Sequence, residues 1–158
     1  MSNEMKPIAL GADHAGFSLK EELRRHLEEQ GIPYRDFGSY DGERCDYPDK
    51  AVPPCEAVVR GDCSFAVLCC GTGIGMALAA DKVAGVRASS ITRPDFAQLF
   101  RQHNNGNVIC LSGRFITLEE NEEIVKVFLT TEFEGGRHAQ RVAKIAELDE
   151  TGRPGAVA

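Results

Sequence analysis

Short apolar runs alternate with amphipathic helical stretches from one end of this chain to the other, and that alternation constrains its fold more than any other feature. Ile8-Ala9-Leu10, Tyr34-Arg35-Asp36-Phe37, Phe65-Ala66-Val67-Leu68, Val86-Arg87-Ala88 and Val108-Ile109-Cys110-Leu111 read as five strands. Between them, Leu19, Leu23 and Leu27 recur every four residues with charge on the other faces, and the pattern ends at Gly31. Arg93 to His103 and Leu118 to Thr130 read the same way. Parallel neighbours need crossover connections, so strict alternation with short links predicts a parallel sheet with helices on both faces. The expected fold is α/β: a Rossmann-like three-layer α/β/α sandwich with a five-stranded parallel sheet. Its 158 residues, 42% of them apolar, suffice for one core, so a single domain over 1–158 is expected. Asp49 to Gly61 also has helical character, but Pro53 and Pro54 stand near its start. Proline is tolerated in a first helical turn, so this helix is expected to begin at the prolines. The Gly/Pro/Ala-rich ending, 149–158, is expected to be a flexible tail.

Eighteen basic against 24 acidic residues leave a net charge of −6, which provides no broad cationic field for nucleic acid or an anionic membrane. An anionic ligand would need a local basic cluster. The apolar run near the N-terminus is too short for a signal peptide, and no stretch of about 18 apolar residues appears. A cytoplasmic protein is expected. The six cysteines, at 45, 55, 63, 69, 70 and 110, include no C-x-x-C and no zinc-like His/Cys spacing. Neither a disulfide scaffold nor a structural metal is expected, and most of these cysteines read as small apolar fillers.

Ligands of open parallel sheets bind at the carboxyl ends of the strands. Gly11-Ala12-Asp13-His14-Ala15-Gly16 follows the first strand, and Cys70-Gly71-Thr72-Gly73-Ile74-Gly75 follows the third. His103-Asn104-Asn105-Gly106-Asn107 ends the helix before the fifth, and the polar groups of all three segments are expected to converge. Glycine at every second position from 71 to 75 lets backbone N–H groups approach a ligand oxygen, a prospective anion hole. The dinucleotide fingerprint G-x-G-x-x-G fails, because Met76 stands where its last glycine belongs; a purely structural turn is the bland alternative. Cys70 lies between strand and loop, where a helix N-terminus would stabilise a thiolate, as suits a base or nucleophile. Cys69 is expected to point to the opposite face, into the core. His14, His103 and His138 stand in polar surroundings, and His103 is placed to act as an acid or base. His26, inside a charged helix, reads as solvated. Arg137 and Arg141, four apart, would share one helix face and suit a phosphate; a pair of solvated arginines is the alternative.

Together, the segment Gly11 to Gly16, Asp46-Tyr47-Pro48-Asp49, the segment Cys70 to Gly75, His103-Asn104-Asn105 and Glu134-Gly135-Gly136-Arg137-His138 closely resemble the type B ribose-5-phosphate isomerases over about residues 7 to 147. The resemblance implies an aldose–ketose isomerase in which Cys70 moves a proton between C2 and C1 through a cis-enediolate. Gly71, Gly73, Ile74 and Gly75 would supply amides to the intermediate, and Thr72 would help move protons between its oxygens. His103 would open the furanose ring, Asp13 and Asp46 would position sugar hydroxyls, and Asn104 would lie beside the enediolate. His14, Arg114, Arg137 and Arg141 match the phosphate-binding set. No metal or organic cofactor is implied. The family's sites lie between subunits, with His103 and Asn104 coming from the partner relative to Cys70, so a homodimer, or a dimer of dimers, is implied. The related galactose-6-phosphate isomerase subunits lack the complete Asp-His-Ala-Gly and Glu-Gly-Gly-Arg-His motifs, which favours ribose 5-phosphate here. Allose 6-phosphate, galactose 6-phosphate or a tetrulose phosphate is the alternative substrate, and a non-catalytic sugar-phosphate binding module the alternative from another class. Departures from the family pattern include Pro53-Pro54, Gly106 and Arg93, whose added charge would bear on substrate choice.

Overall fold

Strand and helix alternate through the chain as the apolar pattern predicts. The computed structural model describes residues 5–152. In chain order these form β1 (Ile8–Ala12), α1 (Phe17–Glu29), β2 (Tyr34–Asp36), α2 (Tyr47–Val59), β3 (Ala66–Cys70), α3 (Ile74–Ala80), β4 (Ala88–Ser90), α4 (Pro94–Asn104), β5 (Val108–Ser112), α5 (Leu118–Thr130) and α6 (Arg137–Thr151). The five strands make one sheet in the order β2-β1-β3-β5-β4, and every neighbouring pair is parallel.

Side chains alternate across the strands, so each strand feeds two cores. Ile8, Leu10, Val67, Cys69, Ile109 and Leu111 pack with Leu19, Leu23, Leu27, Phe100, Ile124 and Phe128 from α1, α4 and α5. On the other face Ala9, Leu68, Cys70 and Cys110 pack with Ala51, Cys55, Met76 and Ala80 from α2 and α3. The result is the three-layer α/β/α sandwich. Helix α5 starts on a capping box, Thr117 accepting from the Glu120 N–H while Glu120 accepts from the Thr117 N–H.

The sheet order reverses direction between β1 and β3. The chain leaves β1 outward to β2, then returns across β1 to place β3 on its other side. Loops after two strands that diverge in this way open a crevice at their carboxyl ends. Residues 13–16 and 71–73 border it. Their approach is close: a Cβ on Gly16 would stand 2.1 Å from the Cys69 carbonyl oxygen. Gly16→Ala is expected to destabilise the fold by at least about 2 kcal/mol, read as a Tm fall of roughly 5 °C or more in thermal unfolding, because backbone rather than a flexible side chain must give way. An unchanged Tm would mean that the loop moves freely.

Three expectations are corrected. Helix α2 begins at Tyr47, not at the paired prolines, which lie inside it. Pro48 occupies the tolerant first turn, whereas Pro53 and Pro54 leave the carbonyls of Asp49 and Lys50 without their helical donors, a break of about 3 kcal/mol. Burial of Ala51, Pro54, Cys55 and Ala57 offsets it, with Pro54 seated close against Gly11 of β1. Strand β4 starts at Ala88 rather than Val86, because the Arg87 N–H is taken by the Asn107 side chain at 2.8 Å and Val86 N–H closes a turn onto Val83. At the C-terminus, the tail does not begin at 149. α6 continues to Thr151, and Asp149 accepts a hydrogen bond from the Gly85 N–H at 2.8 Å. Residues 153–158 lie outside the described residues.

Candidate active site

Strand β3 runs one residue pair beyond its apolar pattern and ends on Cys70, which places that thiol at the mouth of the crevice while 5% of the residue is exposed. The strand pleat sends Cys69 to the α1/α4/α5 core and Cys70 to the α2/α3 side. Gly73 then turns the chain into α3 with a left-handed φ of +84°. That turn points the Gly73 N–H at Cys70 Sγ, 3.1 Å away, which fixes the sulfur and sets a positive partial charge on it. A side chain at Gly73 would strain the φ and press on the Cys110 carbonyl at 2.9 Å. The Ile74 N–H donates to Thr72 Oγ1 at 3.2 Å, so two of the loop amides are engaged within the loop. Among the described residues, the N–H groups of Gly71, Thr72 and Gly75 have no partner in the chain and remain available to a ligand oxygen. Ser112 Oγ, donating to the Gly71 carbonyl at 2.7 Å, ties this loop to β5, and the Arg114 side chain lies beside Gly71.

The loop after β1 forms the opposite wall. Asp13, 7% exposed, accepts the Gly16 N–H on Oδ1 at 3.0 Å. His14 Nδ1 accepts the Cys45 N–H at 3.4 Å; an accepting Nδ1 places the ring proton on Nε2. Asp13 and His14 line a cleft of about 390 Å³ with Arg44, Cys45, Asp46 and Tyr47. The larger cavity between α1 and α5, about 450 Å³, contains none of the sequence-predicted site residues. His26 borders that cavity and sits 3.8 Å from Glu122, so it is not merely solvated.

The third predicted segment does not join the first two within one chain. Helix α4 runs back along the sheet, so His103 and Asn104 lie near the start of β5, whereas Cys70 pairs with Ser112 at its end. Ala66 pairs with Val108 and Cys70 with Ser112; four residues at about 3.3 Å each put the two groups about 13 Å apart along the strands. Arg137 and Arg141 lie on the His103 side, because the His103 and His138 rings stack with centroids 4.3 Å apart. His138 is buried there, and burial first, then His103 and Arg137, holds its pKa below the ordinary histidine value. The structure therefore divides the sequence-predicted site residues into two groups: Asp13, His14, Asp46, Cys70 to Gly75 and Arg114 at the carboxyl ends of the strands, and His103, Asn104, Arg137 and Arg141 toward their amino ends.

Structural roles account for several other residues. Asn105 closes α4 in a left-handed conformation, and Asn107 holds Arg87 and Gly85, which leaves Asn104 as the exposed amide of the trio. Gly106 is required because a Cβ would fall 2.1 Å from the Phe100 ring. Arg93 forms a two-pronged pair with Asp95, at 3.0 and 2.7 Å, so its charge is taken up locally. All six cysteines are free, and burial pushes the thiols of Cys55 (to about 12), Cys63, Cys69 and Cys110 up, as fits inert fillers. Sequence reading missed Lys20, fully buried and 2.6 Å from Asp36. Asp36 also accepts the Gly38 N–H at 2.9 Å, and residues 38 and 39 hydrogen-bond to Ala12, so this ion pair braces the strand end that precedes Asp13. The signal was positional: 20, 23 and 27 share one helix face.

Residues 8–145 match the ribose/galactose isomerase family. The chain is 44% identical over 146 residues to ribose-5-phosphate isomerase B of Escherichia coli, which covers 92% of this chain and 98% of that one. It is 42% identical over 143 residues to the D-erythrulose-4-phosphate isomerase of Pectobacterium atrosepticum, covering 89% of this chain and 93% of that one. The solved structure of ribose-5-phosphate isomerase B from Mycoplasma genitalium with bound ribulose 5-phosphate superposes with a TM-score of 0.88 at 40% identity, covering 93% of this chain and 99% of that one. Such relatives set aside the non-catalytic binding module. No helix among the described residues is long and apolar enough to cross a membrane. The chain belongs to the ribose/galactose isomerase family, and it is an enzyme of the isomerase class.

Proposed function

We propose that this enzyme interconverts ribose 5-phosphate and ribulose 5-phosphate at sites each shared by two copies of the chain. The observation that carries the chemistry is Cys70 at the sheet's switch point, its sulfur held by the Gly73 N–H beside three unpartnered amides. Ring opening comes first: His103 from the partner copy protonates the furanose oxygen while the O1 hydroxyl gives its proton to water, which frees the aldehyde, and His103 recovers a proton from solvent. The Cys70 thiolate then removes the proton from C2, and the electron pair moves to the carbonyl oxygen on C1. Amides of the Gly71 to Gly75 loop stabilise that oxygen as charge develops on it. With Thr72 assisting, a proton passes from O2 to O1; Cys70 returns its proton to C1 as C2 becomes the carbonyl. Every proton removed is given back, so no net oxidant or reductant is needed. Asp13 and Asp46 orient hydroxyls. His14, through its Nε2–H, and Arg114 meet the phosphate from one copy, Arg137 and Arg141 from the other.

Two features support the shared site. Cys70 and His103 lie at opposite ends of the strands in one chain, and α6 is exposed along nearly its whole length, with Ile145 and Leu148 uncovered. In an isologous C2 pairing that sets the carboxyl ends of one sheet against the His103 end of its partner, each copy completes the other's site.

Ribose 5-phosphate is expected to be converted by chelator-treated protein with kcat/KM at least about tenfold above erythrulose 4-phosphate and allose 6-phosphate, about 1.4 kcal/mol in transition-state binding. The similarity to a D-erythrulose-4-phosphate isomerase makes the tetrulose phosphate the specific competitor. A reversed preference would keep the mechanism and reassign the substrate; no turnover of any of the three would sink the proposal.

A further inference from the structure

His103, Glu134 and His138 reach one point from three separate pieces of chain: the last turn of α4, the segment after α5, and the first turn of α6. Backbone bonding fixes the arrangement, since the Glu134 N–H donates to the Gln102 carbonyl at 3.1 Å. The two imidazoles lie nearly parallel, 13° between planes, and Glu134 Oε2 stands 3.5 Å from His138 Nε2. One ligand atom from each residue falls within 4.8 Å of the others. The His138 side chain is only 8% exposed, and its Nε2 faces the Glu134 carboxylate.

We propose that His103, Glu134 and His138 form a site for one divalent transition cation of the Zn2+ class, and that an ion held there inhibits the isomerase. The inhibitory half rests on the reading of His103 as the ring-opening acid. Two imidazoles and a carboxylate are the donor set of open zinc sites, which leave a fourth position to water or a ligand hydroxyl. Bonds of about 2.0–2.1 Å in a tetrahedron put ligand atoms about 3.3 Å apart. The gap between Glu134 and His138 is already close to that. Stacked, nearly parallel rings cannot both aim a lone pair at one ion, so closure turns the His103 ring out of the stack about its broad terminal torsion and draws in Glu134, whose side chain is half exposed. The carboxylate offsets part of the ion's charge. Arg137 and Arg141 oppose it from the same helix, but both are exposed and screened by solvent. Oxygen-seeking Mg2+ and Ca2+ have little use for two imidazoles, which gives the site its selectivity. Once coordinated, His103 has no lone pair with which to carry a proton to the sugar ring.

Chelator-treated full-length protein titrated with Co2+ is expected to develop visible d–d absorption saturating at one ion per chain, without a thiolate-to-cobalt band, and Zn2+ should displace it. Glu134→Gln and His138→Asn should each weaken binding by about tenfold or more. At buffered free Zn2+, turnover should fall in the wild type, and resistance in each variant, measured against its own metal-free rate, should follow its loss of affinity. Absence of stoichiometric binding, a thiolate band, or unchanged binding in both variants would overturn the site. Binding without inhibition would overturn the inhibitory half. A His103→Ala variant with normal turnover would overturn the acid role itself, and the cobalt titration reads the site independently of that result.

Discussion

Cys70→Ala is expected to lower kcat/KM by about 10³-fold, within the range that a positioned base contributes to proton transfer, while the Tm falls by no more than a few degrees. Removing the sulfur from a side chain that is 5% exposed leaves a small void against Met76 and its neighbours, worth on the order of 1 kcal/mol. The loop itself should persist, because Gly73 keeps its left-handed turn and Ser112 keeps its bond to the Gly71 carbonyl. Cys70→Ser separates shape from chemistry. Its hydroxyl still accepts from the Gly73 N–H, yet it is a far weaker proton acceptor at neutral pH, so it should lose nearly as much activity as alanine. Exchange of the substrate C2 proton with deuterated solvent offers a second readout and should disappear in both variants. Wild-type turnover in either would remove Cys70 from the role of base, and the proton would have to move to another group at the crevice, where Asp13, His14, Cys45 and Asp46 are ionisable.

The central strands β1, β3 and β5 were legible because each is buried on both faces, and period-two reasoning placed Cys69 and Cys70 on opposite sides of the sheet. Local pattern failed where a distant side chain intervened. Nothing near Arg87 announces that Asn107 takes its N–H, which moves the start of β4 by two residues. The paired prolines misled because propensity is local, whereas the face carrying Ala51, Cys55 and Ala57 finds its compensation against β1. Lys20 was hidden by its type rather than its position; a lysine is read as surface until its register with Leu23 and Leu27 is set beside the acid at 36. The expected convergence of three segments failed in one chain for a reason the topology already contains. A helix between parallel strands runs backwards, so the end of α4 lies at the opposite end of the sheet from the end of β3.

That division makes a sharper prediction than any single substitution. Cys70→Ala and His103→Ala, each nearly inactive alone, are expected to recover about a quarter of wild-type activity when the two chains are co-expressed in equal amounts, given random pairing into C2 dimers. Half of such dimers are hybrids. In a hybrid, one site combines Cys70 of the second chain with His103 of the first and is intact, while the other site carries both substitutions. One intact site in half of the dimers gives a quarter of the total. Co-expression rather than mixing removes the need for purified dimers to exchange subunits, and differently tagged chains allow the hybrid to be isolated, where about half of wild-type activity is expected. Isolated hybrid with no more activity than its parents would place Cys70 and His103 in the service of the same chain's site. The 13 Å of sheet between them would then have to be spanned by the substrate or closed by a rearrangement, and the division into half-sites would lose its functional meaning.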